Sequence, residues 1–168
     1  MVLQVLTFVL YSDDTRTMAH IISKLTHDFP LQTTPLVVSS VSAGFPSPAE
    51  EAVDVGIDLN RLLIEHPAAT FLVRASGTSM VDAGIFEGDL LIVDRSLQPQ
   101  PGSVVIAYCD DQFLVKRLTK NRDGLYLVAE NKKSLFRPLQ VTETVVIWGV
   151  VSSVIKPLQH TIGAKELR

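Results

Sequence analysis

The sequence predicts a mainly β protein: a compact antiparallel domain of bent sheets, preceded by an N-terminal arm with one short helix. Three observations carry this expectation. Six runs rich in aliphatic and β-branched residues follow one another between Thr70 and Ile155. They are joined by short turns containing Gly, Pro, Asn or Asp rather than by long helices. The segment Gly44-Phe45-Pro46-Ser47-Pro48, which breaks any regular element, separates them from what precedes.

In chain order, Thr15 to Phe29 places Met18, Ile21, Ile22, Leu25 and Phe29 on one helical face, with Asp13 or Asp14 as cap and Pro30 as stop. This predicts the short helix. Leu31 to Ala43 turns extended in character, suited to lie as an added strand in a groove. After the breaker, Ala49 to Val55 and Asp58 to Glu65 read as short helical or coiled pieces. The strand candidates are Thr70 to Val73, Leu90 to Val93, Ser103 to Tyr108, Phe113 to Leu118, Leu125 to Ala129 and Val145 to Ile155. Glu87-Gly88-Asp89, Gln100-Pro101-Gly102, Asp110-Asp111 and Asn121-Arg122-Asp123-Gly124 supply the turns.

The 168 residues suffice for one domain with an appendage. With 46% hydrophobic and 20% charged residues the chain reads as globular, and a formal charge of −3 provides no basic face for phosphates. Direct nucleic-acid binding is therefore not expected. Cys109, the only cysteine, excludes an intramolecular disulfide; it sits in the polar run Cys109-Asp110-Asp111-Gln112 and reads as a half-exposed spectator. His20, His27, His66 and His160 are scattered without ligand spacing, so neither a metal nor another cofactor is implied. Met1 to Tyr11 is apolar but too short to span a bilayer, and it lacks the basic start and cleavage motif of a secretory signal. The expectation is a cytoplasmic protein with no membrane association.

The residues that carry chemistry are a serine and a lysine. Ser79 follows Gly77 in a tight turn after the first strand, and Lys116 lies inside the fourth. Period-2 alternation places Lys116 on the same face as Leu114 and Leu118, opposite Phe113, Val115 and Arg117. If that face is buried, desolvation disfavours the ammonium, and a neutral amine is able to take a proton from a serine hydroxyl. Met80 reads as packing, and Asp82 and Asp94 as turn or strand ends rather than third catalytic members.

Gly77-Thr78-Ser79-Met80, Gly84-Ile85, Gly88-Asp89-Leu90-Leu91-Ile92-Val93-Asp94 and Lys116 together resemble the LexA/UmuD family of self-cleaving Ser/Lys proteases, peptidase family S24, and within it the UmuD-type SOS mutagenesis proteins. The likeness runs from about Ala43 to Pro157. Its most specific element is an ordered set: an Ala43-Gly44 junction, a serine 35 residues beyond Gly44 and a lysine 37 residues beyond that serine. The resemblance implies a LexA/signal-peptidase-like fold, Ser79 as nucleophile, Lys116 as general base and Ala43-Gly44 as the scissile bond. Residues 1–43 are then an arm removed on cleavage and residues 44–168 the dyad domain. The backbone N–H groups of Thr78 and Ser79 are implied as oxyanion donors. It further implies a homodimer, activation by a RecA filament on single-stranded DNA, and a Y-family translesion polymerase subunit, UmuC-like, as partner of the processed form.

The first 17 residues fall outside the resemblance, and Met18 reads as an alternative start. The acidic chain with a single helix before Ala43 leaves no room for a helix-turn-helix domain, which sets aside a transcriptional repressor. The alternative function is a non-catalytic polymerase-binding subunit with a vestigial dyad. A protease acting on other proteins ranks below self-cleavage, because an attached substrate has a high effective concentration.

Overall fold

The β-rich pattern becomes one eight-stranded antiparallel sheet and a separate two-stranded ribbon in the computed structural model, which describes Ala19–Lys24, Thr33–Pro35 and residues 56–158. The strands are β1 (Ala19–Lys24), β2 (Thr33–Pro35), β3 (Gly56–Asp58), β4 (Thr70–Ala75), β5 (Leu90–Asp94), β6 (Val104–Cys109), β7 (Gln112–Asn121), β8 (Gly124–Val128), β9 (Leu139–Gln140) and β10 (Val146–Ile155). Their order across the large sheet is β1-β4-β5-β10-β6-β7-β8-β9, and β2 pairs with β3 alone. No helix among the described residues is long and apolar enough to cross a membrane.

All six strand candidates form, with ends displaced by one to three residues, the most at the end of the fourth, which runs on to Asn121. The helix expected over Thr15 to Phe29 does not: its middle, Ala19–Lys24, is strand β1, paired antiparallel with β4 from Ala19↔Ala75 to Lys24↔Phe71. A helix of about fifteen residues is marginal by itself without tertiary packing. The β-branched Ile21 and Ile22 suit an extended chain, and the edge of β4 offers a ladder of backbone partners. The remainder of that stretch, the breaker at Gly44 to Pro48, the Ala49 to Val55 piece and the Ala43-Gly44 junction lie outside the described residues. Of the extended Leu31 to Ala43, Thr33–Pro35 is described and is strand β2. Asp58 to Glu65 yields α1 (Leu59–Leu63), whose first turn is capped by the Asp58 carboxylate accepting from the Asn60 N–H.

The sheet bends. β10 occupies its middle and carries a register shift on each side, at Ile147/Gly149 against β6 and at Val151/Ser153 against β5. Such bulges bend a strand and increase its twist. At Gly149 a side chain is excluded, because a Cβ would stand 2.7 Å from Val93 Cγ1. The curl brings Trp148 of β10 within 5.0 Å of Phe71 on β4 and 5.7 Å of Phe113 on β7, ring centre to ring centre. The Arg95 guanidinium lies 4.9 Å above the Trp148 ring. β1, at one edge of the sheet, comes against β7, far from it in strand order.

Two cores result. Alternation along β6 and β7 sends Ile106 and Val115 into one, with Val73, Met80, Leu91 and Val93, while Val105, Ala107, Leu114 and Leu118 enter the other, with Leu127 and Val150. Cys109 is a correction: it is the buried last residue of β6 and part of the second core. The turn begins one residue later, where Asp110 and Asp111 take φ of 50° and 58°. Two successive left-handed residues make the two-residue hairpin turn that matches strand twist.

A polar tie holds the chain entering β4. His66 Nδ1–H donates to Asp94 Oδ2 over 2.7 Å, and Asp94 Oδ1 accepts from both the backbone and the hydroxyl of Ser96. The hydrogen bond to Asp94 raises the His66 pKa above its ordinary value of 6.5, against a smaller desolvation effect and with help from the Asp94 and Glu65 charges. For Asp94, burial alone acts upward, but hydrogen bonds from Ser96 and His66 outweigh it and hold the carboxyl below 3.8. The two signs bracket a window. The histidine's contribution is complete below its unfolded pKa and is lost as pH rises through the raised folded value; the aspartate's is complete above its unfolded pKa and is lost on acidification. The thermal-stability gap between wild type and His66→Ala is therefore expected to be widest near about pH 5.5 and to narrow by about pH 8.5. A gap that widens with pH in melting curves would contradict the tie.

Candidate active site

Ser79 and Lys116 meet because the sheet curls. β4 ends at Ala75, whose N–H donates to Asp89 O over 2.9 Å while its carbonyl accepts from the Gly88 N–H over 2.9 Å, so the strand end is fixed before the turn begins. Gly77 takes φ of 81°, a left-handed conformation that a side chain would strain, and reverses the chain into Thr78-Ser79. Met80 then anchors the turn in the first core at 0% exposure, and its carbonyl accepts from the Ala83 and Ile85 N–H groups.

Lys116 stands on β7 opposite Val105 of β6. Its face-mates Leu114 and Leu118 are buried, as the alternation requires, and Lys116 itself is 8% exposed. Ser79 is 0% exposed. Lys116 Nζ and Ser79 Oγ are hydrogen-bonded at 2.5 Å. The Phe136 ring lies 5.5 Å from the same nitrogen. A hydroxyl and an amine in direct contact inside a low-dielectric site can exchange a proton without rearrangement.

A segment that the sequence did not single out straps this turn from outside. Asn131 Nδ2 donates to Thr78 O over 2.8 Å. The Asp82 N–H donates to Glu130 O over 2.9 Å, and Asp82 Oδ2 accepts from the Lys132 N–H over 2.7 Å. Glu130 is fixed in turn by a two-pronged contact from Arg117, Nε to Oε1 at 3.0 Å and Nη2 to Oε2 at 2.8 Å. That hydrogen bond raises the guanidinium pKa above its already high ordinary value. Lys116 and the strap are thus coupled through adjacent residues of β7. The only hint in the sequence is the polar run Glu130-Asn131-Lys132-Lys133 directly after a strand.

The other side chains weighed at this site have structural partners. Asp82 holds the strap, Asp94 holds His66 and Ser96, and Met80 is core. Lys156 binds Gly84 O at 2.9 Å and Asp89 Oδ2 at 2.8 Å, with the Phe86 ring 4.2 Å away, which closes the loop after the Ser79 turn onto the end of β10. A cleft of about 420 Å³ lined by Arg61, Glu65, Thr70, Asp94, Leu97 and Ser152 includes neither Ser79 nor Lys116. Among the described residues no group of three or more His, Cys, Asp or Glu is arranged to hold a metal ion. Ala43 and Gly44 lie outside the described residues, and Thr78 and Ser79 occupy the turn itself.

Residues 35–152 match the family model described as Peptidase S24-like. The chain is 48% identical to Protein ImpA of Salmonella typhimurium over 122 residues, 72% of this chain and 82% of that one. It is 41% identical to Protein SamA of Salmonella typhimurium strain LT2 over 134 residues, 79% and 92% of the two chains. A LexA repressor of Ectopseudomonas mendocina is 37% identical over 123 residues, covering 71% of this chain and 59% of the repressor.

Asn131 is the test of the strap. Asn131→Asp replaces the amide donor by an acceptor facing the Thr78 carbonyl, and the expected loss in urea unfolding is about 1–2 kcal/mol. An unchanged midpoint would show that the strap bears no load.

Proposed function

This chain belongs to the Peptidase S24-like family, the LexA/UmuD family of self-cleaving serine proteases, and on that premise we propose that it is a UmuD-like protein that cuts its own Ala43-Gly44 bond with Ser79 and Lys116. The observation that carries this reading is the 2.5 Å contact between the two side chains in a buried setting. In the proposed reaction the neutral Lys116 amine accepts the Ser79 hydroxyl proton as Oγ attacks the Ala43 carbonyl. The backbone N–H groups of Thr78 and Ser79 receive the developing oxyanion. Collapse breaks the C–N bond, Lys116 returns its proton to the Gly44 amine, and water releases the arm from the acyl-enzyme.

Lys116 is 8% exposed beside the Phe136 ring, and in this reading the enclosed site disfavours the ammonium and lets the amine act as the neutral base. The complete burial of Ser79 favours a substrate delivered by the chain itself, since an attached segment needs little intrinsic affinity.

In this reading cleavage is stimulated by a RecA filament on single-stranded DNA, through a shift toward the docked state of the arm. The processed protein, residues 44–168, acts as a cytoplasmic homodimer and joins a Y-family translesion polymerase subunit of the UmuC type in SOS mutagenesis. The similarity to ImpA and SamA supports this context.

Intact-mass spectrometry after incubation at mildly alkaline pH is expected to show a product beginning at Gly44 from wild type, and none from Ser79→Ala or Lys116→Ala. Absence of that product even with RecA, single-stranded DNA and nucleotide would leave a polymerase-binding subunit with an inactive dyad. Because the base works only when deprotonated, spontaneous cleavage is also expected to accelerate between about pH 6 and pH 10. A flat rate over that interval would rule out lysine as the base.

A further inference from the structure

The strap matters for which atom it holds. Thr78 O and the Ser79 N–H are the two ends of one peptide group, and since no peptide bond is cis that group is planar with its C=O and N–H pointing in opposite directions. Whatever fixes the carbonyl therefore aims the N–H. Asn131 Nδ2 donates to this carbonyl over 2.8 Å, from a residue 53 positions further along the chain.

We propose that Asn131 is the positioning residue of the oxyanion site: by holding Thr78 O from one side, its carboxamide turns the Ser79 N–H toward the oxyanion that forms on Ala43. The inference rests on the cleavage reading given above and names what orients one of its two donors. A peptide plane can rotate about the dihedrals that flank it with little movement of the chain on either side. Thr78 is exposed, so its side chain gives that plane little packing support. A hydrogen bond to the carbonyl supplies the restraint.

Asn131 is itself fixed, which a positioning group must be. Its Oδ1 accepts from the Lys133 N–H over 3.0 Å, and a backbone N–H can only meet the oxygen end of a carboxamide, so the NH2 end is the one that faces Thr78. Nδ2 also lies 3.3 Å from Ser134 Oγ. The residues on either side of Asn131 both bind Asp82: Glu130 O accepts from the Asp82 N–H over 2.9 Å, and the Lys132 N–H donates to Asp82 Oδ2 over 2.7 Å. Ser79 lies between Thr78 and Asp82 in the chain, so three consecutive residues grip it from both sides. The Arg117 fork on the Glu130 carboxylate anchors that grip to β7.

The test compares full-length wild type, Asn131→Ala and Asn131→Asp, the last keeping the size and the Lys133 contact but not the donor. Two labelled peptides of residues 38–43 serve as probes, one ending in the boronic acid analogue of Ala43 and one in a plain amide, and their affinities are measured in a time short against cleavage. Addition of Ser79 Oγ to boron, with the Ser79 proton passing to Lys116, makes a tetrahedral anion that needs the oxyanion donors; the amide does not. Loss of a whole oxyanion donor costs on the order of a hundredfold to a thousandfold in rate. For a misdirected donor the expected result is a plateau self-cleavage rate lower by roughly tenfold to a hundredfold, at an unchanged half-plateau pH in Asn131→Ala. The boronate should lose affinity by a similar factor in both variants while the amide keeps its own. Partial unfolding weakens both probes together and leaves their ratio as in wild type, so a wild-type ratio in both variants would overturn the role. So would a shifted half-plateau pH in Asn131→Ala with the plateau kept, which would mean that the strap acts on Lys116. Wild type that neither cuts itself nor prefers the boronate would overturn the cleavage reading and this role with it; wild type that does both, matched by its Asn131 variants, would overturn the role alone.

Discussion

Everything at the Ser79 turn depends on how sharply the sheet bends. β4 and β7 are separated by β5, β10 and β6 in strand order, so a flat sheet would hold the end of β4 and the middle of β7 roughly four strand spacings apart, about 19 Å. They touch instead. The bend comes from β10, whose two register shifts face its two neighbours, and from Gly149, where β10 approaches β5 more closely than any side chain permits. Phe71, Trp148 and Phe113 then fill the inside of the curve and make the bent form the well-packed one. A ten-residue central strand with a glycine at its bulge is thus a precondition for a lysine to reach a serine 37 residues earlier in the chain.

The strap answers a second requirement. The Thr78-Ser79 turn after the left-handed Gly77 is held from outside as well as by its own chain. Glu130, Asn131 and Lys132 supply the outside contacts from the far side of β8, and the Arg117 fork ties them back to the strand that carries Lys116. Serine and lysine are consequently positioned by one connected set of hydrogen bonds rather than by two independent ones.

The strands of the domain were legible because a half-buried strand writes its burial into the sequence with period 2; along β7 the alternation correctly places Lys116 with Leu114 and Leu118. What was not legible follows from non-local causes. β1 has helical spacing and becomes a strand because β4 offers it a ladder, a fact held some fifty residues away. β3 and β9 span three and two residues, too few to show any period. Asn131 is a polar residue after a strand, and only the tertiary structure sets its amide against Thr78 O, 53 residues earlier. Cys109 looked half-exposed because two aspartates follow it, but the left-handed turn begins at Asp110 and leaves the thiol pointing inward.

The match to the family extends from residue 35 to residue 152, and β1 lies before it. The strands from β4 to β9, the Ser79 turn, the strap and Lys116 fall inside that match. β4 is paired with β1 on one side and with β5 on the other. In the proposed reading the described members of both core clusters lie on the retained side of the cut, and β1 lends β4 a ladder of backbone contacts.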